Sequence, residues 1–204
     1  MVGILYVSWE RAVDLCYKLA TMVAHSGFRP DALIAVLRGG VVPALIVSDV
    51  LGVDGFYAVR ARHWGVLKEA FEKPIIEQLP QGRLEGARIL VVDEVADTGK
   101  TLDSVVEQLK RLNPSEIRTA VVHLKPTSRH KPSYYAESLD RWLWIFYPWS
   151  LVETVFALAV RELGGRAPRE AIEERVEQIA KSLGLTKRLQ DALRTGMRYY
   201  LQAV

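Results

Sequence analysis

The sequence predicts an α/β fold: a central, mainly parallel sheet flanked by helices, followed by a C-terminal helical appendage. Three observations carry this. Strand-like and helix-like stretches alternate up to Pro148, the order produced by successive β-α-β units. Residues 88–92 are an almost unbroken apolar run ending in Ile-Leu-Val-Val, as a strand covered on both faces requires. Beyond Pro148 the strand pattern stops and only helical periodicity follows.

Taken in order, Ser8 can cap a helix in which Ala12, Val13, Cys16, Leu19, Ala20 and Val23 fall at helical spacing. Residues 31–37 (DALIAVL) read as a buried strand broken by Gly39-Gly40, after which residues 42–51 form a helix with Pro43 near its start. Residues 56–60 are a second strand and 88–92 a third. Residues 101–112 are a helix closed by Asn113-Pro114, 117–124 a fourth strand, and 142–146 a fifth. The stretch 62–87 has weak periodicity, and so long a connection in a compact domain is usually a functional loop or lid. In the tail, residues 151–163 form a helix ended by Gly164-Gly165. Pro168 opens a second, with Ile172, Val176, Ile179 and Leu183 on one face, and Thr186 caps a third, with Leu189, Leu193, Met197 and Tyr200 on one face. The expected division is a core of 1–149 and an extension of 150–204.

The 204 residues are 50% hydrophobic and 25% charged, enough to bury a core and too apolar for disorder. No apolar run approaches the roughly 18 residues of a membrane span, and the first residues lack the basic stretch and long apolar run of a signal peptide. A single cysteine, Cys16, excludes an intramolecular disulfide and argues against a cysteine zinc site, so a cytoplasmic protein is expected. A net charge of +3 is too mild to argue for nucleic acid. His63, His123 and His130 lack metal-ligand spacing.

The most informative stretch is residues 89–102, ILVVDEVADTGKTL: an apolar strand, three acids, a tight turn and a helix start. Backbone N–H groups and the helix dipole make such a turn an anion site. Gly99 permits close approach, and Thr98 and Thr101 add hydroxyls. Gly-Lys-Thr at 99–101 suggests a P-loop, but that motif needs a glycine where Glu94 stands. Carboxylates at Asp93, Glu94 and Asp97 suit ribose hydroxyls or a magnesium ion instead.

These residues identify a resemblance. Residues 91–101 resemble the phosphoribosyl-pyrophosphate (PRPP) motif of the type I phosphoribosyltransferases. Leu37-Arg38-Gly39-Gly40 with Val41-Val42-Pro43-Ala44 resembles that family's pyrophosphate loop. His123-Leu124-Lys125-Pro126 and residues 144–149 (WIFYPW) resemble the base-binding elements of its 6-oxopurine branch, especially the short microbial and archaeal enzymes. The resemblance covers roughly residues 5–150 and implies the family's fold with a small hood and a lid over about 62–87.

The activity implied is transfer of the phosphoribosyl group from PRPP to a purine, giving a nucleoside 5′-monophosphate and pyrophosphate. By that resemblance Asp93 and Glu94 accept from the ribose hydroxyls. Magnesium is the cofactor, bound mainly by substrate oxygens with Asp93 as a candidate ligand. Asp97 is the acid/base facing purine N7. Ala96, Asp97, Thr98, Gly99, Lys100 and Thr101 hold the 5′-phosphate. Arg38 and Gly39 meet the pyrophosphate, Gly39 through a backbone conformation closed to other residues, joined by Lys68 and Lys73 from the lid. Lys125 donates to O6, Trp144 stacks on the base and Ile145 contacts its edge through backbone. Trp142 and Trp149 read as core. Hypoxanthine, guanine or xanthine is the expected base, adenine the alternative. The further alternative is a non-catalytic PRPP-sensing regulator whose tail binds nucleic acid. The tail's nine Lys and Arg interleaved with seven Asp and Glu lack the basic stripe this requires. A homodimer is expected, and neither a membrane nor a nucleic-acid partner is.

Overall fold

The computed structural model describes residues 3–62, 74–80, 84–165 and 167–201. In chain order the elements are β1 (Ile4–Tyr6), α1 (Trp9–His25), β2 (Ala32–Leu37), α2 (Val41–Leu51), β3 (Phe56–Arg62), β4 (Ile75–Gln78), β5 (Arg88–Ala96), α3 (Lys100–Lys110), β6 (Glu116–Leu124), β7 (Tyr134–Ser138), β8 (Trp144–Phe146), α4 (Leu151–Glu162), α5 (Arg169–Ser182) and α6 (Lys187–Tyr200). They fall into two compact units. One holds residues 9–62 and the described residues from 74 to 143; the other holds Ile4–Ser8 and residues 144–201.

The larger unit is a six-stranded sheet in the order β4-β3-β2-β5-β6-β7. Every neighbouring pair is parallel except β3–β4. The central strands β2 and β5 are buried on both faces over residues 32–36 and 89–93, which is why 32–36 and 89–92 are continuously apolar rather than alternating. Helix α3 buries Leu102, Val105 and Leu109 against Ile34, Val36, Val91 and Val121. Helices α1 and α2 pack on each other, α2 on β2 and β5, α1 on β6 and β7. The start of the β2–β5 pair is pinned by Arg88, which donates from Nε and Nη2 to the Asp31 carboxylate at 3.0 and 2.8 Å. Arg88 holds the Asp31 pKa down at about 2. Burial pushes the Cys16 thiol up to about 12, so it packs as an apolar group and is a poor nucleophile.

In the smaller unit β1 pairs in parallel with β8. Phe146 joins Val155, Phe156, Val176, Leu193 and Met197 in one buried cluster, with Ile4 and Trp144 packed against it. Thr186 caps α6, its hydroxyl accepting from the Leu189 N–H. Among the described residues no helix is long and apolar enough to cross a membrane.

Some of these expectations change. The strand expected over 142–146 is confined to Trp144–Phe146 and pairs with β1 outside the main sheet, because Phe146 is buried with the tail helices. The smaller compact unit takes in the residues from Trp144 onward together with Ile4–Ser8. Part of the stretch read as a lid is strand β4, antiparallel to β3; residues 63–73 and 81–83 of it lie outside the described residues. The third strand continues through Asp93 and Glu94 to Ala96, since pairing with β6 extends to Ala96. Finally, β7 has no counterpart among the expected strands, although Tyr134 and Ala136 are buried and Tyr135 exposed, the alternation of a half-buried strand.

His123 lies on β6 at 1% exposure, its Nε2 4.0 Å from Glu137 on β7. Burial drives its pKa from 6.5 down to about 4, against the pull of Glu137. The ring is neutral at pH 7, and the unfolded chain binds the extra proton between pH 6.5 and 4. Its contribution is therefore complete above pH 6.5 and lost as the pH falls toward 4, on the order of 3 kcal/mol. Denaturant melts of wild type and His123→Leu at pH 4.5 and 7.5 check this: the wild type should lose markedly more stability on acidification, and equal losses would refute it.

Candidate active site

Helix α2 leads from β2 to β3 on one side of the sheet, and α3 leads from β5 to β6 on the other. The carboxyl ends of β2 and β5 thus form a topological switch point, where open α/β sheets place their ligands. Two turns meet there, Arg38–Gly40 after β2 and Asp97–Gly99 after β5.

The first turn follows the cis Leu37–Arg38 peptide. Arg38 is exposed. Gly39 does not need the left-handed backbone expected of it, since its φ lies outside the positive range. Space is the reason instead: a Cβ at Gly39 would lie 2.3 Å from Glu94 Cδ. Gly40 faces backbone instead, with a Cβ falling 2.4 Å from the Val92 carbonyl oxygen and 2.8 Å from that of Val36.

On β5, Asp93 is buried and accepts the Glu94 N–H at 2.8 Å. Burial, reinforced by the neighbouring Glu94 charge, raises its pKa well above the usual carboxylate value. A buried acid beside another acid is a natural acceptor for hydroxyl donors or a hard cation. Among the described residues no group of three or more His, Cys, Asp or Glu side chains is disposed to hold a metal by itself.

The β5–β6 register sets Ala96 opposite Leu124, so the next residues, Asp97 and Lys125, come together. Lys125 Nζ donates to Asp97 Oδ2 at 2.8 Å. Asp97 Oδ1 accepts from Trp142 Nε1 and Thr127 Oγ1, each at 3.1 Å. Lys125 is 6% exposed and stands 4.3 Å from the centroid of the Trp142 ring. Burying an ammonium is tolerable because a carboxylate and an aromatic face offset its lost hydration. Trp142, read from the sequence as core, is thus part of the site; its distance from both partners in the chain hid it.

Gly99 has φ +83 and caps α3, and a Cβ there would meet His130 at 2.6 Å. Lys100 and Thr101 form the first turn of α3, whose N–H groups have no intrahelical acceptor. Trp144 and Ile145 belong to the smaller unit. Trp144 is half-buried with Arg161 Cζ 5.2 Å from its ring centroid, and Ile145 is buried on β8. Lys68 and Lys73 lie outside the described residues.

The family model of the phosphoribosyl transferase domain matches residues 6–154. A xanthine-guanine phosphoribosyltransferase of Cereibacter sphaeroides is 33% identical over 156 residues, 72% of this chain and 86% of that protein. The crystal structure of a purine phosphoribosyltransferase from Pyrococcus horikoshii Ot3 superimposes with a TM-score of 0.63 at 33% identity, covering 72% of this chain and 93% of that one. A Helicobacter pylori xanthine-guanine-hypoxanthine phosphoribosyltransferase shares the fold, with a TM-score of 0.59 at 21% identity over 79% of this chain and 98% of that one. With the switch-point turns, the acids of β5 and these matches together, the chain belongs to the phosphoribosyl transferase family.

Proposed function

We propose that this phosphoribosyltransferase transfers the 5-phosphoribosyl group from PRPP to a 6-oxopurine, releasing pyrophosphate and a nucleoside 5′-monophosphate. The observation that carries the base class is the Lys125–Asp97 pair. Purine O6 and N7 lie side by side on one edge; O6 is an acceptor, and in the N7–H tautomer of the free base N7 is a donor. Lys125, a donor only, suits O6, and adenine's amino group would offer it no acceptor. Asp97 beside it suits N7. The xanthine-guanine and purine specificities named for the two relatives at 33% identity support the same class.

In this reading N9 of the N7–H tautomer attacks C1 of the ribose. The N9–C1 bond forms, the bond from C1 to the pyrophosphate oxygen breaks, and Asp97 takes the N7 proton. Asp93 and Glu94 accept from the ribose hydroxyls and orient the ring. Residues 96–101 bind the 5′-phosphate through backbone N–H groups and the Thr98 and Thr101 hydroxyls. Arg38, the Gly39 backbone, Lys68 and Lys73 bind the pyrophosphate, while Trp144 and Ile145 contact the base. The buried Asp93 next to Glu94 fits a magnesium ion held chiefly by substrate oxygens, which supplies charge neutralisation for the leaving group. A cytoplasmic homodimer completes the proposal.

Pyrophosphate release from PRPP and magnesium, with hypoxanthine, guanine, xanthine, adenine and uracil tried separately, tests it. Release with 6-oxopurines well ahead of adenine is expected. Adenine in the lead would overturn the role of Lys125. PRPP binding with no turnover on any base would overturn the enzymatic reading.

A further inference from the structure

The anion-binding turn after β5 is not self-supporting. Its helix cap, Gly99, has no side chain to offer, and the local Lys100 N–H to Thr98 Oγ1 contact is a long 3.5 Å. What holds it is the turn that follows β6. Lys125 N–H donates to the Ala96 carbonyl at 3.0 Å, Thr127 Oγ1 to the Asp97 carbonyl at 2.9 Å, and Arg129 N–H to the Thr98 carbonyl at 3.1 Å. Three successive carbonyls are thus taken by alternate residues of one neighbouring segment. In a planar trans peptide the C=O of one residue and the N–H of the next point in opposite directions. Fixing the carbonyls of 96, 97 and 98 toward the β6 turn therefore aims the N–H groups of 97, 98 and 99 away from it, as a concave donor set for an anion.

The holding turn is itself locked by His130. Its Nδ1 lies 2.7 Å from Asp103 Oδ1 in the first turn of α3, and its Nε2 lies 2.9 Å from Thr119 Oγ1 on β6. The Ser133 N–H reaches the same Thr119 oxygen at 3.3 Å, and Ser128 Oγ donates to the His130 carbonyl at 2.8 Å. A neutral imidazole satisfies every partner: Nδ1–H donates to the carboxylate, and Nε2 accepts from a Thr119 hydroxyl that itself accepts from Ser133. Gly99 packs on His130 so closely that no side chain fits between them.

We propose that residues 125–133 are a clamp that aims the N–H groups of the 5′-phosphate turn, and that His130 is its positioning residue, tying the clamp to both α3 and β6. The proposal rests on the reading of residues 96–101 as the 5′-phosphate site. It assigns His130 no contact with substrate or reacting atoms.

The test compares binding of inosine 5′-monophosphate with that of inosine, by titration calorimetry, in wild type, His130→Ala, His130→Asn and His130→Gln. The affinity ratio reads the phosphate site without turnover. In wild type the monophosphate should bind far more tightly. His130→Ala should cut that ratio about tenfold, the size of one lost charge-assisted hydrogen bond, with inosine affinity changed less than about twofold. His130→Asn, which keeps a donor near Asp103, should recover most of the ratio. His130→Gln, which reaches only the Thr119 side, should recover less. In turnover the same variants should raise KM for PRPP with kcat and base KM nearly unchanged. A wild type with no preference for the monophosphate would refute the phosphate-site reading itself. A normal preference that survives in His130→Ala would refute the clamp alone, as would equal losses for inosine and its monophosphate. Should the alanine variant not fold, the Asn and Gln variants decide by the same criteria.

Discussion

Asp97→Asn should lower kcat for the purine reaction by about 100-fold or more, the range for loss of a positioned acid or base. The amide keeps an oxygen for Trp142 and Thr127, which now hold the carboxylate at 3.1 Å. The Asp97 carbonyl, which accepts from Thr127, is untouched. The change is therefore confined to two capacities: taking a proton and facing the Lys125 ammonium at 2.8 Å. KM for PRPP should stay within about threefold, because backbone groups and not this carboxylate meet the phosphate. Steady-state kinetics with each substrate varied in turn measure this. A kcat within a few fold of wild type would remove Asp97 from the chemistry and leave it as the residue that keeps Lys125 in place.

The two glycines of the first turn should separate stability from activity. Gly40→Ala forces a Cβ against the Val92 and Val36 carbonyls, and these belong to the two central strands of the sheet. Neither backbone can yield without opening the β2–β5 pair, so a loss of about 3 kcal/mol or more is expected. For Gly39→Ala the nearest atoms all belong to the Glu94 side chain, which can rotate away. That variant should fold with nearly normal stability, losing about 1 kcal/mol or less, while turnover falls because Glu94 leaves its place beside Asp93. Thermal melts and pyrophosphate release on both variants test the contrast. The idea fails if the stability losses are equal, or if Gly39→Ala is fully active.

Much of this protein is determined locally. The run from Ile89 to Leu102 reads as strand, turn and helix because an apolar strand, a glycine at a positive φ and a helical face are properties of neighbouring residues. The tail helices are legible for the same reason: Ile172, Val176 and Ile179, or Leu193 and Met197, recur at the helical period and are the residues buried. The sequence also marked Asp97 and Lys125 one by one.

What brings that pair together is register, and register belongs to two strands at once. Ala96 must face Leu124 before Asp97 can meet Lys125. The same holds for Trp142, which reaches Asp97 across 45 residues of chain, and for the carbonyls of 96–98, which are held by residues about thirty positions away. Short strands escaped for a related reason. Three residues at Ile4–Tyr6 carry too little periodicity to be seen, and become a strand only by pairing with Trp144–Phe146. Gly39 shows the limit most plainly. Its need for glycine arises from a glutamate 55 residues on, so excluded volume in the folded chain, and not backbone preference, decided it.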